Sequence, residues 1–228
     1  MKDDDRAPIS VVIPTLNAAG ALPGLLGDLV TGAVQGLVRE VVVSDGGSSD
    51  ATAAIAAAAG ARTLEGPPGR GGQLRRGCAA ARGAWLWSLH ADTRLPPGWT
   101  GPAERFLARG TGAGWARLSF RAGGLPPRWV AGWANLRSRA GLPYGDQGLL
   151  LPRALYDASG GYPDQPLMED VVLARNLRGH LAPLDLVLST DAARYEGRWL
   201  RRGAANLVTL ARWRAGTSPD RLAERYRR

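Results

Sequence analysis

The chain has 228 residues, 45% hydrophobic and 21% charged, a composition that supports one packed core and excludes a disordered chain. Its net charge of +9 rests on arginine, since Lys2 is the only lysine, and it is uneven: from Asp191 onward ten Arg stand against four acids. The single cysteine, Cys78, excludes an internal disulfide and a multi-cysteine zinc site.

Ile9 to Ile13 is a β-branched run closed by Pro14, and Glu40 to Val43 is another closed by Ser44-Asp45-Gly46-Gly47; both read as buried parallel strands. Between them, Leu22, Leu25, Leu26 and Leu29 mark a helix over Ala18 to Val30. Ser49 or Asp50 is placed to cap a second, alanine-rich helix that Gly60 ends. The pattern repeats: a strand over Ala61 to Leu64, a helix over Gln73 to Arg82, and a strand over Ala84 to Leu89 that runs into His90-Ala91-Asp92-Thr93. Further on come a helix near Pro102 to Arg109, a strand near Trp115 to Arg121 and a helix near Trp129 to Arg139. Then follow Gly145-Asp146-Gln147-Gly148 before the apolar run Leu149 to Leu151, a Gly-Gly-Tyr-Pro turn at 160–163, a helix opened by Met168-Glu169-Asp170, and a tail of two helices divided near Gly216 to Pro219.

Strands alternating with helices predict an α/β fold, a doubly wound and mainly parallel sheet with flanking helices. Such sheets bind ligands beyond the carboxyl ends of their strands, and the polar clusters at 14–17, 45–50 and 90–93 fall there. Asp45 follows a strand and stands too far upstream to cap the next helix, so it is a candidate for bonding a base or ribose, whereas Asp50 fits a cap. Asp92 at a strand end suits a divalent cation on a diphosphate, or merely shapes a turn before Pro97. Glu169-Asp170 at a helix start suits a general base for an acceptor hydroxyl, although acids favour that position anyway. Gly69-Arg70-Gly71-Gly72 is only loosely like a phosphate-binding loop. His90 and His180 have no partner at zinc-ligand spacing.

Taken in order, Ser10 to Asn17 (SVVIPTLN), Glu40 to Thr52 (EVVVSDGGSSDAT), Leu89 to Asp92 (LHAD) and Met168-Glu169-Asp170 resemble the family-2 glycosyltransferases. The resemblance implies a GT-A fold over residues 1–200, with residues 201–228 a basic helical extension of the same domain. It implies that Pro14, Thr15 and Asn17 line a nucleotide pocket, that Asp45 binds uracil or its ribose, and that Arg70 and Gln73 approach from the third βα loop. Asp92 matches the second acid of the family's Asp-x-Asp element, which holds Mg²⁺ or Mn²⁺, and Asp170 matches the general base. Gln147, Glu169, Arg198 and Trp199 are expected on the diphosphate or acceptor side. His90 departs from the pattern by standing where the first acid usually is; an imidazole there is a possible second metal ligand.

The expected activity is inverting transfer of a sugar from a nucleotide-sugar, a UDP-sugar first, to a hydroxyl acceptor of unknown identity. Trp129, Trp133 and Tyr144 could wall an apolar acceptor, although aromatic residues at helical spacing are more often core, and the resemblance extends to a branch linked with carotenoid glycosylation. The alternatives are a nucleotidyltransferase, disfavoured by a first loop without glycine and lysine, and a non-catalytic nucleotide-sugar or membrane-surface binder. No nucleic-acid partner is expected, because the arginines form no reading motif. The start MKDDDRAP is acidic where a signal peptide is basic, and no run approaches the roughly 18 apolar residues of a span. A cytoplasmic location follows, with Leu207, Leu210 and Trp213 opposite arginines leaving open a peripheral contact with an anionic membrane.

Overall fold

A computed structural model describes residues 7 to 227 apart from residues 194 and 196; the acidic start at 1–6 lies outside the described residues. The elements run β1 (Ile9–Thr15), α1 (Leu22–Val34), β2 (Val38–Asp45), α2 (Thr52–Ala58), β3 (Arg62–Glu65), α3 (Arg70–Ala80), β4 (Trp85–Ser88), α4 (Thr100–Leu107), β5 (Ala113–Phe120) and α5 (Leu125–Arg139). A 3₁₀ turn at Gly145–Gln147 leads into β6 (Leu149–Pro152), followed by α6 (Arg153–Ala158), α7 (Glu169–Asn176), β7 (Leu181–Thr190), α8 (Trp199–Arg214) and α9 (Pro219–Arg227).

The seven strands form one sheet in the order β3-β2-β1-β4-β6-β5-β7. The first half is parallel, as the alternating pattern predicts. β6 is antiparallel to both β4 and β5, while β5 and β7 run parallel. This reversal brings Leu149, the first residue of β6, beside Ser88, the last residue of β4. The turn at 145–147 therefore lies at the same sheet edge as the carboxyl ends of β1, β2 and β4.

The core follows from the strand sequences. Ile9, Val11, Val12 and Ile13 on β1 are wholly buried, with helices on both faces, and each such side chain contributes about 1.5–3 kcal/mol. One face packs Ile9, Val11 and Ile13 with Leu22, Leu25, Leu29, Trp87 and Trp99; the other packs Val12 and Val42 with Leu74, Leu86 and Leu173. A third cluster joins Leu142, Met168 and Val171 to Leu210 and Leu222, so the helical tail packs on the domain. Among the described residues no helix is long and apolar enough to cross a membrane.

Four expectations need correction. β7 lies where the sequence reading has no element. α1 begins four residues later than predicted and α3 three residues earlier, at Arg70. Neither Ser49 nor Asp50 is the residue before α2: that is Ala51. Asp50 instead accepts bonds from the Thr52 and Ala19 N–H groups at 3.0 Å each, tying the loop after β2 to the loop after β1.

Candidate active site

The expected nucleotide residues converge at the ends of β1 and β2, but largely on one another. Thr15 Oγ1 donates to Asp45 Oδ1 at 2.7 Å, Ser48 Oγ donates to the same oxygen at 2.6 Å, and the Gly47 and Ser48 N–H groups donate to Oδ2 at 2.9 and 2.7 Å. Asp45 is 2% exposed. Burial alone would raise its carboxyl, and the bonds from Ser48, Thr15 and Gly47 outweigh that and hold it below the ordinary aspartate range. Gln73 is buried too, its Nε2 donating to the Thr15 carbonyl at 2.6 Å and the Ser44 carbonyl at 3.0 Å. Both side chains thus shape the loops. Asn17 is the exposed member: its Oδ1 accepts the Ser49 N–H at 2.9 Å and its backbone is left-handed at φ 52°. Pro14 is half-buried beside Thr15.

The second cluster is a cavity of about 150 Å³ at the ends of β4, β5 and β7, lined by Arg70, His90, Asp92, Asp146, Asp170 and Thr190 among others. Asp92 Oδ2 accepts a bond from Thr190 Oγ1 at 2.8 Å, and the Asp92 carbonyl accepts one from Arg121 at 2.9 Å, so the loop after β4 is anchored on β7. Asp170 Oδ2 accepts the Gly145 N–H at 2.8 Å and pairs with Arg70 Nη2 at 3.2 Å. Gly145 is required by that approach, since a Cβ there would stand 2.7 Å from His90 Nε2.

Arg70 also pairs through Nε with Glu169, which is 0% exposed. Burial pushes the Glu169 carboxyl above its ordinary value and Arg70 opposes the push, while the two acids raise the Arg70 guanidinium further, against the effect of burial. Glu169, expected toward diphosphate or acceptor, instead fixes Arg70, which in turn holds Asp170. Met168, immediately before, is buried and left-handed at φ 66°. Asn17 and Met168 are the non-glycine residues with positive φ among those described, and both adjoin the candidate site, a conformation that persists only where surrounding packing enforces it.

Gln147 is wholly buried: its Oε1 accepts from Ser138 Oγ and its Nε2 donates to the Ala116 carbonyl at 3.1 Å, so it braces the turn instead of facing a ligand. Trp199 packs on Phe120 and Tyr195, with ring centroids 5.0 and 5.1 Å apart. Arg198 lines a neighbouring cleft between α8 and α9 that shares Arg202, Asn206 and Thr209 with the cavity; among the described residues of the tail, Arg202 is the arginine that lines the cavity itself. Asp146 was missed as a site residue. It lines the cavity, its Oδ1 is buried without a partner among the described residues, and burial pushes its carboxyl up against the pull of Arg137.

A divalent cation is implied by the resemblance, and the donor set decides how it would be held. Among the described residues no three His, Cys, Asp or Glu are grouped to cage a metal. Mg²⁺-type ions in phosphate sites take one or two carboxylates and fill the rest of their shell with substrate phosphate and water. Asp92, with His90 two residues away on the same cavity wall, fits that shared mode and does not fit a resident metal centre.

The model of the family described as "Glycosyl transferase family 2" matches residues 10–148, well over half of the chain. The chain belongs to glycosyl transferase family 2. A glucosyl-3-phosphoglycerate synthase of Mycolicibacterium paratuberculosis is 42% identical over 97 residues, 39% of this chain and 29% of that protein, so the chain spans less than a third of the length of this curated relative. The solved structure of the Mycobacterium tuberculosis glucosyl-3-phosphoglycerate synthase with Mn²⁺, UDP and glucosyl-3-phosphoglycerate superposes with TM-score 0.60 at 23% identity, covering 89% of this chain and 79% of that one. S. aureus TarS with UDP gives 0.63 at 16% identity, covering 81% and 60%. The sheet and its helices are those of a family-2 GT-A fold. The family match holds the loops after β1, β2 and β4 together with Asp146, whereas Glu169, Asp170 and α8 lie beyond residue 148.

Proposed function

We propose that this protein transfers a glycosyl group, with inversion, from a UDP-sugar to a hydroxyl of its acceptor. The nucleoside rests on the loops that Thr15, Asn17, Asp45 and Gln73 organise, with the diphosphate toward Asp92 and Arg70. The acceptor oxygen attacks the anomeric carbon, the bond from that carbon to the diphosphate oxygen breaks with its electron pair leaving on UDP, and the acceptor proton passes to Asp170. A cation bound at Asp92, with His90 beside it, would neutralise charge on the departing diphosphate. Arg70 and the Gly145 N–H hold the Asp170 carboxylate in place, so its orientation is set before the acceptor arrives.

The observation that carries this reading is the convergence of Asp92 and Asp170 on one cavity although 78 residues separate them in the chain. The solved relatives that bind UDP support the choice of base. The curated relatives are named glucosyl-3-phosphoglycerate synthases, which lends no support to a carotenoid acceptor, and nothing favours a membrane contact for the tail.

Calorimetry of UDP, GDP, CDP and ADP with and without Mn²⁺, on wild type and Asp92→Ala, tests the donor site. UDP binding that Mn²⁺ strengthens in wild type and not in the variant supports the reading. Failure of folded protein to bind any nucleotide sinks it. Because the metal site is completed by diphosphate, Mn²⁺ alone should bind weakly.

A further inference from the structure

Next to the catalytic cavity lies a second, larger hollow of about 520 Å³ between α5 and α8, within the size range of small-molecule sites. Its walls are apolar: Trp129, Trp133 and Leu136 from α5 face Leu207 and Leu210 from α8. Trp129 is 65% exposed and Trp133 60%, so these tryptophans, expected from their spacing to be core or acceptor wall, are not core. Exposed aromatic and aliphatic side chains lining a concavity of this size suit the apolar part of a small ligand.

The hollow adjoins the cavity across a shared neck of residues. Phe120, Tyr144, Asp146, Tyr195 and Asn206 line both. At this neck the Arg137 guanidinium lies 3.3 Å from the Tyr144 ring centroid, which fixes the ring, and Asp146 Oδ1 is buried without a partner among the described residues. Asp170 stands just past the neck. A ligand filling the hollow would therefore bring its polar end, and no other part, to the transfer centre.

We infer that the acceptor is an amphipathic alcohol: its extended apolar body lies in the α5–α8 groove against Trp129, Trp133 and Leu207, and its hydroxyl passes Asp146 to reach Asp170. This inference rests on the proposed glycosyl transfer and names its acceptor class. The adjacency of the hollow to the cavity selects the acceptor over a partner protein, which would cover the tryptophans but gain nothing from lying beside Asp170. The α8 wall lies outside the matched family region, whereas the α5 wall with Trp129 and Trp133 lies within it.

The test measures transfer from a UDP-sugar to a homologous series of 1-alkanols below their aggregation limits, against glycerol and 3-phosphoglycerate, with the sugar chosen as the one whose UDP ester is hydrolysed. KM should fall by up to about fourfold per added methylene while the chain still gains contact with the groove, and both polar acceptors should be poor. Trp129→Ser/Trp133→Ser and, separately, Leu207→Ser should flatten that series; UDP affinity reports that each variant is folded. A flat series in wild type, preference for 3-phosphoglycerate, or an undiminished chain-length effect in both variants would overturn the inference. So would a wild-type dimer that the tryptophan variant dissolves, since the groove would then be a subunit interface. Loss of UDP binding or of donor hydrolysis in wild type would instead count against the glycosyl-transfer reading itself.

Discussion

Replacing Arg70 by Met removes the cation that Glu169 and Asp170 share and leaves a wholly buried carboxylate without its partner. Breaking a buried ion pair on one side costs about 3–5 kcal/mol. Arg70 is 36% exposed, so water reaches the vacated space and the low end, about 3 kcal/mol, applies. For a chain of this length that lowers Tm by about 6–12 °C. The loss must depend on pH. Glu169 already titrates above its ordinary value in the folded state, and without Arg70 it moves higher. A carboxyl raised on folding contributes its full stability below the unfolded value of about 4.3 and loses it as pH rises through the folded value. The deficit of Arg70→Met should therefore be smaller at pH 5 than at pH 8, and Arg70→Met/Glu169→Gln should regain part of it at pH 8. Differential scanning calorimetry across that range reads both effects. A Tm loss under about 2 °C at pH 8, or one that does not change with pH, would refute the role given to this pair.

Gly71→Ala would put a Cβ 2.3 Å from the Pro163 carbonyl oxygen and 2.5 Å from that of Gln165, pushing away the segment that leads into Met168–Asp170. Overpacking of this kind costs about 1–3 kcal/mol, and displacing the base by about 1 Å is expected to lower kcat up to about 100-fold with UDP affinity kept; unchanged kcat would show that this contact does not position Asp170. Cys78 is 1% exposed, with burial pushing its thiol up to about 12, so a disulfide reagent at pH 8 should leave it unmodified in native protein and react fully after denaturation.

The donor half of the fold was legible because each βα unit announces itself: β-branched runs ending in polar loops put 14–17, 45–50 and 90–93 at one edge without any knowledge of packing. β7 was harder. Leu184, Leu186 and Leu188 do alternate with Asp185, Val187 and Ser189, but Pro183 interrupts the run, and the strand's place at the sheet edge depends on a long-range pairing with β5. Missing it hid Thr190, the partner of Asp92. The reversal of β6 likewise cannot be read from Leu149–Leu151, a run that suits either direction, and it is this reversal that carries Asp146 to the cavity. Glu169 and Gln147 show the opposite difficulty. Both are polar residues in motif-bearing stretches, and only the packed structure shows that one anchors Arg70 and the other braces a turn.

The central claim, that Asp170 takes the acceptor proton beside a donor held largely by other residues, is tested most directly by Asp170→Asn. Turnover of the UDP-sugar and UDP affinity should be measured on the same preparation. The account predicts a fall in kcat of about 10²–10⁴ with UDP affinity within about twofold of wild type, because it places the uridine and diphosphate on Asp92, Arg70 and the loops after β1 and β2, and none of these contacts on Asp170. Turnover within about threefold of wild type would contradict it and return Asp170 to the role of a helix-start acid.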